Sequence, residues 1–243
     1  MKVAVIGLGA MGMGIATSSL RGGLDTVGCD VSETQCAAFA KAGGGVAATP
    51  ADAALDADCL AVVVVNQDQT EAVLLGDNGA ASALPKGAVV LGCATVPPAY
   101  ARDVSARLEA MGLLYLDAPI SGGAIKAASG QLSVMGSGTP EAYARARPFL
   151  DAVAEKVFEL GAEAGPGSTM KMVNQLLAGV HIATAMEAIA LGIKSGLNAE
   201  TVFEVITASA GNSWMFENRV PHVLDNDYAP KSAVDIFVKD LGI

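Results

Sequence analysis

The sequence predicts a doubly wound α/β domain, a mostly parallel sheet with helices on both faces, followed by an all-helical C-terminal domain. Three observations carry this. Through the first two-thirds of the chain, short runs rich in Val, Ile and Leu alternate with longer helical stretches, as in strand–helix–strand units. One of those runs, CLAVVVV (59–65), is apolar at every position, as expected of a strand covered on both faces. After Gly161 the alternation stops, and from about Ser168 onward the pattern is helical.

The elements follow in order. KVAVIG (2–7) reads as the first strand and 10–22 as the first helix; TVGCD (26–30) and 32–42 repeat the pair. Thr49-Pro50 opens a short helix, with threonine as N-cap and proline at the first helical position, where its missing N–H costs nothing. After the 59–65 run come AVVLGC (88–93), a helix over 97–112, LLYLDAP (113–119), QLSVMGS (131–137), a helix over 140–154 and KVFELG (156–161). AEAGPGS (162–168) is turn-rich and reads as a hinge, so the division is placed at 163: an α/β domain over 1–163 and a helical domain over 164–243. The helix over 168–195 is apolar nearly all round, which predicts burial on every side.

Composition excludes several classes of function. A chain of 243 residues, 52% hydrophobic, can bury a sizeable core, and a net charge of −10 argues against nucleic acid or an acidic membrane surface as partner. The N-terminus lacks the apolar run and cleavage signature of a signal peptide. The uncharged run after Lys171 contains Asn174, Gln175, His181 and Thr184 and reads as too short to span a bilayer, so a soluble, cytoplasmic protein is expected. Cys29, Cys36, Cys59 and Cys93 show no CxxC spacing; free buried thiols are expected, with no disulfide or metal site.

Gly7, Gly9 and Gly12 form G-x-G-x-x-G between a strand and a helix, and with Leu8, Ala10 and Met11 between them they are read as a cofactor-binding turn. The first glycine permits a tight turn, the second lets pyrophosphate approach the backbone, and the third lets helix and strand pack closely. The pyrophosphate would sit on the helix N-terminus, where free N–H groups and the dipole favour an anion. A lone motif of this kind is weak, but strand, helix and second strand are all in place, and Asp30 ends that second strand. The domain is therefore read as Rossmann-type. A carboxylate at Asp30 would accept the ribose hydroxyls and repel a 2′-phosphate. Residues 22–40 contain no Lys or Arg, so NAD is expected over NADP.

Lys171 enters the long apolar helix with Asn174 and Gln175 three and four residues on, sharing its face. Burying an ammonium group costs several kcal/mol unless something offsets it. One reading is a general base: oxidising an alcohol requires a proton acceptor, and burial beside a cationic nicotinamide lowers the pKa of a lysine. The other is a lysine that snorkels to solvent or pairs with a stray carboxylate. His181 reads as a core or interface histidine, Phe216 as packing, and Trp214 as either packing or pocket lining.

Four ordered stretches, VAVIGLGAMGMG, DAPISGG (117–123), GSTMKMVNQ (167–175) and FVKDLG (237–242), resemble the signature blocks of the β-hydroxyacid dehydrogenases. That family includes 3-hydroxyisobutyrate dehydrogenase, tartronate semialdehyde reductase and 6-phosphogluconate dehydrogenase. The resemblance covers the whole chain. It implies that Lys171 is the catalytic acid/base, that Asn174 and Gln175 orient substrate, and that Ser121, Gly122 and Gly123 hold the substrate carboxylate. It also implies that Val65, Asn66 and Thr95 touch the cofactor and that Lys239 reaches it from the helical domain. From the residues alone, Ser121-Gly122-Gly123 is only a turn and Thr95 only a helix-start residue.

Within the family, AGNSWMFENR (210–219) and SAVDIFVKDL (232–241) look most like the branch that acts on L-threonate. The expected reaction is thus NAD-dependent oxidation of a short hydroxy or sugar acid, L-threonate at C2 first among them. The alternatives are 3-hydroxyisobutyrate oxidation and tartronate semialdehyde reduction; no basic cluster favours a phosphorylated substrate. The apolar helix over 168–195, with Gly179, Ala183 and Ala190 small enough for close approach, is expected to pack against both domains and a second subunit, so a homodimer or homotetramer is expected. Family members continue through further helices beyond FVKDLG, so the helical domain reads as C-terminally incomplete. That leaves a non-catalytic dinucleotide-binding protein as the alternative of another class.

Overall fold

In the computed structural model, which describes residues 1–229 and 234–243, six strands lie parallel: β1 (Lys2–Ile6), β2 (Asp25–Cys29), β3 (Gly45–Val46), β4 (Cys59–Val62), β5 (Val89–Gly92) and β6 (Leu114–Asp117). Their order is β3–β2–β1–β4–β5–β6, so the chain winds outward from β1 in one direction and then from β4 in the other. The connections carry α1 (Ala10–Arg21), α2 (Glu33–Lys41), α3 (Pro50–Ala54), α4 (Gln67–Leu75) and α5 (Pro98–Ala110). The chain then adds β7 (Ile120–Ser121), α6 (Gly123–Ser129), β8 (Leu132–Gly138), α7 (Pro140–Val153) and β9 (Ala154–Glu159). β8 runs antiparallel to β6 and β7, and β9 parallel to β8. The sheet is mostly parallel and doubly wound, as the alternating pattern predicts.

Both faces of this sheet are covered, which explains the uninterrupted apolar runs. Val3 and Val5 of β1 pack with Cys59 and Ala61 of β4 on one face, while Ala4 and Ile6 pack with Leu60 and Val62 on the other. Caps fall where the sequence places them: the Thr49 hydroxyl accepts from the N–H of Asp52 at 3.1 Å, and that of Ser32 from Gln35.

The run 59–65 is shorter as a strand than its apolarity predicts. β4 ends at Val62, Val65 is exposed, and Asn66 begins a helix that the sequence reading passed over. The signal was present: the Asn66 side chain accepts from Gln69 N–H at 2.9 Å, and Gln69 Oε1 accepts from Val65 N–H at 2.9 Å, a variant of the capping box. The seven-residue α6 was missed as well, because its Ala-rich sequence has no apolar periodicity.

The chain forms two compact units, Met1–Lys171 and Met172–Ile243. The 29-residue α8 (Pro166–Lys194) starts in the first; the second also contains α9 (Ala199–Thr207), α10 (Trp214–Leu224) and α11 (Val234–Asp240). Ser232 and Ala233 of the 232–241 motif lie outside the described residues. Ala185, Ile189, Phe216 and Val220 form the helical core, with the Phe216 ring stacked on Phe203 at 5.8 Å between centroids. Phe216 is thus a packing residue, whereas Trp214 is exposed. Close approaches occur at glycines. A Cβ on Gly179 would come 3.1 Å from Phe237, and one on Gly192 would come 2.8 Å from Val202.

Within this chain α8 is buried along one stripe only; the expected cover by a second subunit lies outside it. Its buried positions include Lys171, Gln175, Ala185, Ile189 and Gly192, spaced three to four within each group and forming a stripe. Met170, Val173, Leu176, Leu177, Val180, Leu191 and Ile193 are 42 to 67% exposed. Three short helices cover a strip of α8, not its circumference. The helix is also longer than the uncharged run alone suggests, and by length and composition it is long and apolar enough to cross a membrane.

Candidate active site

The strand registers bring the cofactor-type residues to one edge. Ile6 pairs with Cys29 and with Val62, and Val62 pairs with Gly92, so the C-terminal ends of β1, β2, β4 and β5 are level. The segments leaving those ends are Gly7–Gly12, Asp30, Val63–Asn66 and Cys93–Thr95. This edge flanks the β1/β4 switch point, where ligands bind in open α/β sheets.

The three glycines have distinct surroundings. Gly7 has φ +95°, and a Cβ there would lie 2.4 Å from the Val63 carbonyl oxygen. At Gly12 a Cβ would lie 1.8 Å from the Gly7 carbonyl oxygen, so α1 can pack on β1 only through glycine. Around Gly9 a Cβ would meet nothing within 4 Å. Gly9 is also the N-cap of α1 and has no side chain to satisfy the helix's first N–H groups. Protein contacts therefore explain Gly7 and Gly12 but not Gly9; an anion resting on the α1 N-terminus explains it. The arrangement fits a dinucleotide pyrophosphate.

Asp30 follows β2 directly, and its carboxylate is already oriented: Oδ2 accepts from Leu8 N–H at 2.6 Å and Oδ1 from Ser32 N–H at 2.8 Å. Leu8 itself is a core side chain whose N–H is taken by Asp30, so it shapes the turn from within. Ala10 is exposed and Met11 half-buried at the start of α1. Asn66 serves as the α4 cap described above. Thr95 precedes the α5 N-cap, Pro97, by two residues and is therefore not itself a helix-start residue.

Lys171 is 8% exposed, and its Nζ donates to the carbonyl oxygen of Ile120 at 2.9 Å. Ile120 immediately precedes Ser121, Gly122 and Gly123, where β7 gives way to α6. The two glycines have φ of +136° and +74°, values that a side chain rarely adopts, so the turn at the end of β7 depends on both. Lys171 is thus buried against this turn and not extended into solvent. Sequence reasoning passed over Asp117, two residues before Pro119 in the same block. It is fully buried and bonded to the first turn of α8.

In the second unit, Asn174 Nδ2 donates to Gln175 Oε1 at 2.9 Å, and Gln175 Nε2 donates to Asp240 Oδ2 at 2.5 Å. Lys239 Nζ lies 2.6 Å from Asp240 Oδ1. Gln175 and Lys239 are thus joined through Asp240.

Comparisons with known proteins agree with this layout. Residues 2–161 match the NAD binding domain of 6-phosphogluconate dehydrogenase, and residues 165–243 match the NAD-binding domain of NADP-dependent 3-hydroxyisobutyrate dehydrogenase. L-threonate dehydrogenase of Cupriavidus necator is 55% identical over 242 residues, covering 100% of this chain and 82% of that protein. The L-threonate dehydrogenase of Escherichia coli K12 is 50% identical, covering 99% and 80%. The crystal structure of 3-hydroxyisobutyrate dehydrogenase from Salmonella typhimurium superposes with a TM-score of 0.94 at 48% identity, covering 100% of this chain and 85% of that one.

Proposed function

This chain belongs to the β-hydroxyacid dehydrogenase family related to 3-hydroxyisobutyrate dehydrogenase, and we propose that it oxidises L-threonate at C2 with NAD as hydride acceptor. The carrying observation is 55% identity, across the whole chain, to an L-threonate dehydrogenase.

The bound nicotinamide supplies one thing, a carbon that accepts hydride. The chain's own residues do the rest. The α1 N-terminus at Gly9 holds the pyrophosphate, and Asp30 takes the ribose hydroxyls and disfavours a 2′-phosphate. Ser121 with the backbone of Gly122 and Gly123 binds the substrate carboxylate, and Asn174 and Gln175 orient the substrate hydroxyls. Lys171 takes the hydroxyl proton at its Nζ as hydride leaves the carbon. In the reverse direction it returns the proton to the carbonyl oxygen. Lys239 and the segment with Val65, Asn66 and Thr95 complete the cofactor contacts.

NADH production across a panel of three- and four-carbon hydroxy acids tests the substrate. L-threonate should give the largest kcat/KM, and a panel in which it is not turned over would reject the assignment. The likeness to a solved 3-hydroxyisobutyrate dehydrogenase at 48% identity makes that acid the second reading, and tartronate semialdehyde with NADH belongs in the same panel.

We propose further that the chain acts in the cytoplasm as a homodimer or homotetramer, in which a second subunit would cover the apolar residues of α8 left exposed within the chain. A monomer by sedimentation at micromolar concentration would contradict this.

A further inference from the structure

Asp117 ends β6, is fully buried, and has no part in the chemistry described so far. Its carboxylate faces the first turn of α8. Oδ2 accepts from the N–H of Gly165 at 3.0 Å and of Ser168 at 2.8 Å, while Oδ1 accepts from the Ser168 hydroxyl at 2.7 Å. Ser137 of β8 lies 3.3 Å from Oδ2, and its hydroxyl oxygen accepts from Gly167 N–H at 2.9 Å. Gly167 has no room to move: a Cβ there would fall 2.4 Å from the Met135 carbonyl oxygen and 2.7 Å from that of Asp117. The first turn of α8 is therefore seated on β6 and β8 without slack.

Lys171 follows Ser168 by three residues, on the same face of the helix, and its Nζ reaches the carbonyl oxygen of Ile120, three residues beyond Asp117. The segment from Asp117 to Ser121 and the first turns of α8 are thus tied at two points, one at each end. A serine or asparagine would cap a helix at lower cost than a buried carboxylate. Burial does push the Asp117 carboxyl above its ordinary range, against the pull of the bonds from Ser168, Gly165 and Ser137.

We propose that Asp117 is the positioning residue for Lys171: through Gly165 and Ser168 it fixes the first turn of α8, and so the place of the Lys171 amine beside Ser121-Gly122-Gly123. The inference rests on Lys171 being the acid/base group.

A double-mutant cycle in the full chain tests it, using the hydroxy acid turned over fastest and measuring kcat, KM, NADH affinity by fluorescence and thermal midpoint. Asp117→Ala should lower kcat about tenfold or more while NADH affinity moves less than about twofold, because the cofactor contacts lie at other strand ends. In a Lys171→Ala background the same change should cost less than about twofold in kcat, since its effect runs through the missing amine. An equal fold-loss in both backgrounds, or an unchanged kcat in the single variant, would overturn the inference while leaving the role of Lys171 intact. A near-normal kcat in Lys171→Ala alone would overturn the acid/base reading and the inference with it. If Asp117→Ala does not fold, Ser168→Ala removes only the hydroxyl bond; it should lower kcat about threefold where Lys171 is present and leave the Lys171→Ala variant unchanged, and equal losses in both would again overturn the inference.

Discussion

The amine of Lys171 donates to the carbonyl oxygen of Ile120, 2.9 Å away and one residue before Ser121. That bond sets the only lysine of the long helix's first turns beside the Ser-Gly-Gly turn. Lys171→Ala should cut kcat by a factor on the order of 10² or more, with little change in NADH affinity. Lys171→Arg should not restore turnover, because a guanidinium stays protonated and cannot act as base. The measurement is kcat and thermal midpoint on the same protein. A folded Lys171→Ala enzyme with near-normal kcat would show that the lysine is structural.

Gly9 and Gly12 make a discriminating pair. A methyl group on Gly12 would collide with the Gly7 carbonyl oxygen, so Gly12→Ala should lower the thermal midpoint and the yield of folded protein. On Gly9 it would meet no protein atom, and the backbone there, at φ −63° and ψ −168°, accepts alanine without strain. Gly9→Ala should therefore leave the midpoint within a degree or two and yet weaken NADH binding about tenfold or more, by occupying the space the pyrophosphate needs. Unchanged NADH affinity in Gly9→Ala would remove the case for pyrophosphate at this turn.

Much of this was readable from the residues. The period of the strands, the G-x-G-x-x-G turn and Asp30 follow from local rules, because each glycine or carboxylate meets its own segment or the next strand. α8 shows where such reading fails. Its apolar circumference predicts cover but not its source, and within this chain α9, α10 and α11 supply only a strip of it. Asp117 was illegible for a related reason. A single aspartate ending a strand carries no pattern; its role lies in three bonds to residues 48 and 51 positions away, which only the folded chain brings together. The Asn66 cap, by contrast, was legible and was masked by the longer apolar run before it.

Asp30 accepts from Leu8 N–H and Ser32 N–H, which turns its carboxylate toward the Gly-rich loop in advance of any ligand. The ratio of kcat/KM for NAD over NADP should therefore favour NAD strongly in the native enzyme. Asp30→Ala should narrow that ratio about tenfold or more by removing both the ribose contact and the repulsion of a 2′-phosphate. A native preference for NADP would remove Asp30 from the ribose. The loss of the Leu8 bond should also lower the thermal midpoint modestly.

Three of the four thiols are buried, and their environments hold them protonated. Burial first, then the neighbouring Cys36 and Asp30, pushes Cys29 up to about 11; burial and Asp117 push Cys93 up to about 12; burial pushes Cys59 far above the usual thiol range. Only Cys36 is partly exposed. A thiol-reactive dye at pH 8 should accordingly label about one thiol rapidly in the native protein and four after denaturation. Rapid labelling of more than one in the folded state would mean that the sheet around Cys59 and Cys93 opens far more readily than its packing indicates.

The Asp117 carboxyl gives a linkage test independent of activity. Burial raises its folded pKa above the ordinary 3.8, against the bonds from Ser168, Gly165 and Ser137 that favour the charged form. In the pH window between 3.8 and that raised value the folded state binds more protons than the unfolded chain, so the contribution of this group to stability falls as pH rises. Ionising the carboxyl above that value therefore costs stability, and Asp117→Asn removes the titration while keeping the shape and a hydrogen-bonding oxygen. The thermal midpoint of native enzyme minus that of Asp117→Asn should increase as pH is lowered from 7 toward 4. The opposite trend would mean that the hydrogen bonds outweigh burial and hold the carboxyl below 3.8. A flat difference would mean that folding leaves its proton affinity unchanged. With the expected trend, the fold retains a carboxyl whose ionisation destabilises it, which is what a residue kept to position Lys171, rather than to stabilise the fold, should do.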